Sequence, residues 1–472
     1  MIFNSFTFLF LFLPIVLAVF FFPGANRARP YVLLVASVIF YGFSGLAHAS
    51  VLVANITWVW VVTRDDAIVG GRIRLFLAII VPLGTLFTFK YLDFVLSQFV
   101  DVRIKNSGFD LFTDVLLPAG ISFFTFQLIA YAVDRFRGQI INPPSGINLA
   151  LYISFFPQLI AGPIVRFRQV ADPLKRLIEF RIQPSDWSAG IAYVVAGLAV
   201  KVLLADSIGR HFEPLVASPD SLSSLTSVFL LLAYGFQIYF DFYGYSLIAI
   251  GLGRFFGFRL PINFNRPFEA RTPVEFWQRW HMTLMNFFND YVYTPITVSF
   301  MRRSVTNRYG SMRALVIVTA IPILFVFLLS GIWHGAGWGF ILWGIYQGLA
   351  VLLYRLTSSY WDRLPAILQR LATYTIITFS WIPFAVGLEG SPGLIASLFG
   401  YGGEDTLAPT AAAVISVGLA AAVAFGPRIE KIAESVAETA IGSHVRAIAF
   451  GLLFLGTLIF VDQSQTFIYF RF

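Results

Sequence analysis

The segment LSGIWHGAGWGF (329–340) joins two apolar stretches of the chain, residues 314–331 and 337–354. Each stretch approaches the roughly 20 mostly apolar residues that a helix needs to cross a bilayer. His334 therefore lies where one membrane helix gives way to the next, among glycines and tryptophans. An ionisable side chain is costly at such a depth, so the pattern predicts a functional histidine. A packing histidine that bonds a helix carbonyl is the alternative.

The composition of the 472-residue chain is that of a membrane protein. Hydrophobic residues make up 58% and charged residues 12%, against roughly 45–50% and about 25% in soluble proteins. Further apolar stretches of similar length are 5–22, 30–46, 49–63, 74–98, 116–134, 187–205, 224–250, 371–388, 409–425 and 445–463. The sequence thus predicts an all-α, polytopic membrane protein with roughly 11 to 13 membrane helices.

One apolar segment, 148–165, is interrupted by Pro157, Gly162 and Pro163. We expect a broken or re-entrant element there, because non-helical backbone at membrane depth must be buried in protein or line a water-filled cavity. The first apolar stretch has no basic residues before it, which predicts a retained helix instead of a cleaved signal peptide. Since no polar stretch is long enough to fold separately, residues 1–472 are predicted to form a single membrane-embedded domain.

Positive charges occur in alternate loops, which predicts the orientation of the chain in the membrane. The basic loops carry Arg27 and Arg29, Arg64 and Arg72, Arg135 and Arg137, Arg166 to Arg181, Arg254 to Arg313, Arg355 to Arg370, and Arg428 with Lys431. Loops 98–115, 206–223 and 389–408 are acidic or nearly neutral. We therefore expect the basic loops in the cytoplasm and both termini on the other side. The net charge of +8 is explained by these loops, and no continuous basic face predicts nucleic-acid binding.

Several kinds of chemistry are excluded or lack a motif. The chain contains no cysteine, which excludes disulfides, zinc–thiolate sites and acyl-cysteine intermediates. It also lacks a P-loop, an HExxH motif and a GxSxG elbow, so nothing predicts nucleotide hydrolysis, a metal or a serine hydrolase. Acyl chemistry in this chain would need a histidine base and an activated donor.

A second histidine, His281, lies in FWQRWHMTL (276–284) within the polar-bearing stretch 254–313. Its tryptophans and arginine suit the headgroup depth of a membrane, which favours an interfacial histidine over a catalytic one on local evidence. Asp290 follows in the next helical turns. Its carboxylate is expected to pair with Arg279, to orient a histidine or to be solvated.

Taken together, these motifs resemble those of the membrane-bound O-acyltransferases, specifically the bacterial alginate O-acetyltransferase branch. The resemblance rests on MIFNSFTFLFLFLPI (1–15), LPAGISFFTFQLIAYAVDRFRG (117–138), SFFPQLIAGPIVRF (154–167), IYFDFYGYSLIAIGLGRFFGFRLPINFNRPF (238–268), FWQRWHMTLMNFFNDYVYTPI (276–296) and LSGIWHGAGWGFILWGIYQG (329–348). These segments cover a core from residue 1 to about 350, whereas residues 351–472 match more loosely. One departure is that GYSLIAIG (244–251) has Leu247 where the branch usually has an acid.

The resemblance implies that His334 is the catalytic histidine in the middle of a membrane-crossing tunnel and that His281 is a second, supporting site. Supporting or tunnel positions implied in the same way are Pro157, Gly162, Pro163, Asp241, Gly244, Asn265, Trp277, Trp280, Asp290, Tyr291 and Trp333. Arginines of the 254–313 stretch would suit the phosphates of coenzyme A, or equally anionic lipid. They are Arg254, Arg259, Arg266, Arg271 and Arg279.

The implied activity is transfer of an acyl group, in this branch acetyl, from a cytoplasmic thioester such as acetyl-CoA to hydroxyls of an exported polysaccharide such as alginate. No bound cofactor or metal is expected. A separate periplasmic, esterase-like acetyltransferase often completes the transfer, which places the protein in a bacterial cytoplasmic membrane with periplasmic termini. Acyl or D-alanyl transfer to teichoic acid, a lipid or a protein is the alternative. A transporter would show an inverted repeat and intramembrane ion ligands, and neither is evident.

Overall fold

The computed structural model describes residues 1–64, 70–99, 117–306, 314–403, 408–438, 443–463, 465, 467 and 468. Regular structure in this part of the chain is helical, which confirms the predicted all-α class. The predicted loop 98–115, apart from its first two residues, and Arg313 lie outside the described residues.

The helices fall into two compact units that are discontinuous in sequence. The first unit comprises Met1–Val194, Tyr245–Pro261 and Val436–Ala440, and the second comprises Val195–Gly244, Ile262–Ser435 and Ile441–Phe472. The α-helices that begin before Val195 are Leu13–Phe20, Arg29–Gly42, Leu46–Thr63, Gly71–Lys90, Leu92–Phe99, Ile121–Phe136, Gly146–Ser154, Phe156–Leu159, Phe167–Arg176 and Pro184–Ala199. The later helices are Asp206–Val216, Ser224–Phe255, Pro273–Arg279, Met282–Phe288, Thr294–Thr306, Ile321–His334, Trp338–Trp361, Ala366–Ser380, Ile382–Leu398, Ala411–Phe425, Ile429–Glu438 and Ser443–Phe460. The expectation of a single membrane domain stays a prediction.

Six helices are long and apolar enough to cross a membrane, and two bent helix pairs raise the number to eight among the described residues. The six are Leu46–Thr63, Gly71–Lys90, Pro184–Val216, Ser224–Phe255, Val316–His334 and Trp338–Trp361. The chain is therefore a multi-pass membrane protein. The number is lower than predicted because other apolar stretches form shorter helices. Arg29–Gly42, for example, has 14 residues, and Ile121–Phe136 has 16 and begins after Gly120 in a left-handed conformation.

Two predicted loops are partly helical, which corrects the sequence interpretation. The segment 206–223 contains the helix Asp206–Val216, which continues a long span. Lys201 lies in the π-helical turn just before it, and its ammonium binds the Asp206 carboxylate at 2.6 Å. Because the two charges neutralise each other inside the helix, the acid does not end it. Residues 389–398 likewise belong to the helix Ile382–Leu398.

The break expected in 148–165 is present. The helix Gly146–Ser154 stops at Phe155, resumes for four residues from Phe156 and ends in a turn at Gly162. A β-carbon on Gly162 would overlap the backbone of Gln158, so only glycine allows this return of the chain. The Tyr152 hydroxyl donates to the Val165 carbonyl at 2.7 Å and closes the turn.

Candidate active site

His334 is the last residue of the helix Ile321–His334, and its side chain is buried at 6% exposure. Aromatic rings surround the imidazole. The ring centre of Trp343 lies 4.8 Å away, edge to face, and those of Trp333 and Phe384 lie 4.7 and 5.9 Å away. The histidine is thus held in an aromatic pocket by residues from three different helices.

A close helix crossing brings Trp343 against His334. The helices Ile321–His334 and Trp338–Trp361 meet at Gly331 and Gly344, where a β-carbon on either glycine would lie 3.1 Å from the Cα atom of the other. Such a β-carbon would also overlap a carbonyl oxygen of the opposite helix. Two glycines therefore let the backbones touch, as small residues do in membrane helix pairs.

His281 is positioned by its backbone. It precedes the helix Met282–Phe288 and has φ 42° and ψ 52°, a left-handed conformation that few residues other than glycine adopt. Two backbone hydrogen bonds to the preceding loop fix this turn, one just after His281 and one just before it. The Met282 N–H donates to the Asn263 carbonyl at 2.8 Å, and the Asn265 N–H donates to the Arg279 carbonyl at 2.9 Å.

A side-chain bond reinforces the same turn, since the Thr283 hydroxyl donates to the Asn263 side-chain oxygen at 2.6 Å. A left-handed non-glycine residue stores strain and persists only where its surroundings over-determine it. Asn263 and Thr283 meet that requirement, and the imidazole of His281 is aimed inward as a result.

The two histidines share one aromatic cluster. His281 is buried at 1% exposure, and its ring lies 4.6 Å from Phe242 and 5.9 Å from Trp333. Since Trp333 also contacts His334, one indole touches both imidazoles. Burial lowers the pKa of His281 to about 3, so its ring is neutral near pH 7. The ring of His281 is thus enclosed by protein, and its placement at the membrane interface, which the local sequence favours, stays a prediction.

Trp277 and Trp280 form the neighbouring layer of the site. The Trp277 indole donates to the buried Gln347 side chain at 3.3 Å, and Gln347 donates in turn to the Ser380 hydroxyl at 2.6 Å. Trp277 also packs edge to face on Trp343 at 5.7 Å. Trp280 stacks on Phe276 and contacts Trp381.

A cavity of about 340 Å³ lies on the other side of Trp277. Its lining mixes apolar side chains such as Phe327 and Val351 with polar ones such as Asn286 and Arg355. Trp277 lines this cavity and contacts Trp343, which in turn contacts His334. The cavity is therefore linked to the histidine cluster through contacts of these two indoles.

Asp290 and Tyr291 have contacts within their own segment. The Asp290 carboxylate accepts from the Asn289 side chain at 3.0 Å, and Tyr291 packs on Phe287. Arg279, one of the alternative partners expected for Asp290, binds Glu275 at 2.6 Å, one helical turn away on its own helix.

Asn265 takes part through its backbone alone in the turn described above. Asp241 binds the buried Lys201 at 2.5 Å, which the sequence analysis did not anticipate.

The five candidate donor-binding arginines are divided between the two units, and four of them have acidic partners. Arg254 and Arg259 both approach the Asp186 carboxylate, at 3.2 and 3.5 Å, and Arg259 has a 75% exposed side chain. Arg266 pairs with Glu269 and donates to the Phe425 carbonyl.

The backbone N–H of Arg271 donates to the Glu275 carboxylate that also binds Arg279. The carboxylates of Asp186, Glu269 and Glu275 thus neutralise part of the positive charge of these arginines.

Several site residues were missed by sequence reasoning. They are Phe242, Asn263, Thr283, Trp343, Gln347, Ser380, Trp381 and Phe384. Trp381 and Phe384 lie after residue 350, where the sequence analysis placed no candidate site residue. The tryptophans could have been noticed as unusually dense aromatic residues next to the histidine, whereas Asn263 carries no signal of its own.

Comparisons with known proteins agree with this architecture. The family profile "MBOAT, membrane-bound O-acyltransferase family" matches residues 134–386, which include both histidines. The chain is 33% identical over 442 residues to the peptidoglycan O-acetyltransferase of Helicobacter pylori, covering 85% of this chain and 80% of that protein.

Two further relatives have different acceptors in their names. The "Probable alginate O-acetylase AlgI" of Azotobacter vinelandii is 34% identical over 419 residues, covering 85% of this chain and 79% of that protein. The teichoic acid D-alanyltransferase of Bacillus subtilis is 26% identical over 270 residues, covering 56% and 66%. The chain therefore belongs to the membrane-bound O-acyltransferase family and is an O-acyltransferase.

Proposed function

We propose that this protein transfers an acetyl group from a thioester donor on the cytoplasmic side to hydroxyls of an exported polysaccharide, with His334 as the catalytic residue. The observation that carries the proposal is the pair of buried histidines that both contact Trp333. An imidazole buried among aromatic side chains suits a general base for a hydroxyl.

The chemistry follows from these positions. His334 removes the proton of the acceptor hydroxyl as its oxygen attacks the thioester carbonyl. The carbon–sulfur bond then breaks, and the thiolate takes the proton back from the imidazolium. A two-step variant has the imidazole attack first and carry the acetyl group before the hydroxyl attacks. His281, which contacts the same indole, orients the thioester in either case.

The decisive test is His334→Ala, with His211→Ala as the matched control. His211 lies on the helix Asp206–Val216 and is not part of the aromatic cluster. Positioned proton transfer contributes about 10²–10⁴-fold, so His334→Ala should lose acetyl transfer by that factor at equal membrane levels. His211→Ala should retain it. Wild-type acetylation in His334→Ala would refute the catalytic assignment.

For the acceptor, we propose a polysaccharide such as alginate, modified with the help of a periplasmic, esterase-like acetyltransferase. The relatives in this branch bear the names of alginate and peptidoglycan O-acetylation. Mild alkali releases acetate from O-acetyl esters, so the polymer that loses acetate in the His334→Ala strain identifies the acceptor. Loss of D-alanine esters instead of acetate would support the teichoic acid alternative.

For the donor, we propose acetyl-CoA, entering from the cytoplasm near the 254–313 stretch of a bacterial cytoplasmic membrane. The exposed Arg259 and its neighbours carry positive charge on that stretch. Because the chain has no cysteine, Arg259→Cys introduces a unique label. It should react with a membrane-impermeant maleimide only after the cytoplasmic face is opened, and reaction from outside intact cells would reverse the orientation.

A further inference from the structure

A buried ionic cluster lies in the same unit as the histidine pair, and the reaction described above does not use it. The ammonium of Lys201 binds the carboxylates of Asp206 at 2.6 Å and Asp241 at 2.5 Å. All three side chains are almost completely buried. Charged groups inside a membrane protein are costly and are kept where they have a specific task.

The cluster holds the C-terminal segment, by which we mean Gln465, Phe467 and Ile468. Lys201 donates to the Gln465 carbonyl at 3.1 Å. The Ile468 N–H donates to the second oxygen of Asp241 at 2.6 Å. A hydrogen bond to an ionised carboxylate is about twice as strong as one between neutral groups. The segment is therefore tied down at two points.

The held segment reaches His281 through one ring. Phe467 packs edge to face on Phe242 at 5.8 Å, and Phe242 packs edge to face on His281 at 4.6 Å. Phe242 directly follows Asp241 on its helix. The carboxylate that holds the segment and the ring that contacts the histidine are thus neighbours in the chain.

We propose that Asp241 is a positioning residue for acyl transfer: with Lys201 it fixes the C-terminal segment, whose Phe467 sets Phe242 and through it the ring of His281. The proposal rests on the proposed role of the histidine pair. Asp206 binds the same lysine and accepts a hydrogen bond from the backbone of Gln465, whereas Asp241 binds the backbone N–H of Ile468, the residue next to Phe467. The two acids therefore hold different residues of the segment, and Asp241 holds the end that carries Phe467.

Because the two acids bind different residues of the segment, Asp241→Asn and Asp206→Asn form a matched pair of variants. Each variant leaves Lys201 with one carboxylate partner, so the electrostatic perturbation is similar. Misplacing a group in an active site by about 1 Å can cost 10²-fold in rate. We expect Asp241→Asn to lower kcat by at least about 10-fold with little change in KM, and Asp206→Asn to stay within about 3-fold of wild type. Equal kcat values for the two variants would overturn the proposal.

A second measurement does not depend on activity. In an Ile468→Cys background, the unique thiol is buried and should react slowly with maleimide in detergent. Adding Asp241→Asn should accelerate the reaction more than adding Asp206→Asn does, because Asp241 binds Ile468 itself and Asp206 binds Gln465. Equal rates in the two would refute the anchoring of the segment by Asp241. If wild-type protein transfers no acyl group, the proposed function has failed, yet this labelling still decides whether Asp241 holds the segment.

Should Asp241→Asn fail to fold, Phe467→Ala tests the same path with all charges in place. It should lower kcat, and Phe467→Leu should restore part of the loss because it refills the contact with Phe242. Wild-type kcat in Phe467→Ala would overturn the proposed path to His281.

Discussion

The left-handed backbone of His281 predicts an unusual order of tolerance to substitution. Alanine, glycine and asparagine at this position remove the imidazole in three different ways. Asparagine tolerates a left-handed backbone and keeps a polar side chain, glycine tolerates it without a side chain, and alanine does neither. We therefore expect folded stability to follow the order Asn, Gly, Ala.

The magnitudes follow from the burial and the backbone angles. Emptying a fully buried site of this size costs about 2–5 kcal/mol, which alanine and glycine share. Alanine additionally forces a β-carbon into the left-handed region at φ 42°, which costs about 1–2 kcal/mol. Glycine avoids that strain. It also raises the conformational entropy of the unfolded chain, which offsets part of this advantage in folding stability. The net difference between glycine and alanine is about 1 kcal/mol.

The assay is thermal unfolding of detergent-purified protein together with acetyl transfer at equal protein concentration. His281→Asn should keep partial activity, reduced on the order of 10-fold, and His281→Ala should lose about 10²-fold. Glycine should unfold a few degrees above alanine. If alanine is as stable as glycine and as active as asparagine, the backbone of this turn does not position the site and the reasoning fails.

Three other predictions concern the helix crossing, pH and the indole network. Gly344→Ala should lose most activity because its β-carbon meets a carbonyl of the opposite helix, whereas Gly451→Ala, with open space around it, should not change acetyl transfer. Because the pKa of His281 lies near 3 and that of an unfolded histidine near 6.5, this residue contributes stability above about pH 6.5 that is lost as pH falls towards 3. Wild-type melting temperature should thus fall more steeply on acidification than that of His281→Asn, and parallel curves would contradict the burial argument. Gln347→Leu should lower unfolding stability by about 1–3 kcal/mol, because it leaves the Trp277 N–H without its acceptor; an unchanged melting temperature would show that the network adds no stability.

The sequence predicts the helical membrane class, the break in 148–165 and the two histidines, because each has a local signature. Apolar length reports a membrane helix, and proline with glycine reports a break. The burial of His281 could not be predicted, because the interface-like tryptophans and arginine around it match a surface helix equally well. Its turn depends on Asn263, some twenty positions earlier, and such contacts leave no periodic pattern. Lys201 was missed for a related reason: its partner Asp241 lies on another helix, so the pair shows only in three dimensions.

The contact between Gly331 and Gly344 limits how this protein can change by single substitutions. Neither position can accept a β-carbon while the other helix stays in place. A shift of that helix would carry Trp343 away from His334. Any new acceptor preference gained by stepwise mutation is therefore expected to arise elsewhere in the pocket. We expect one such position to be Phe384, which contacts His334 from a third helix and is not part of the glycine crossing.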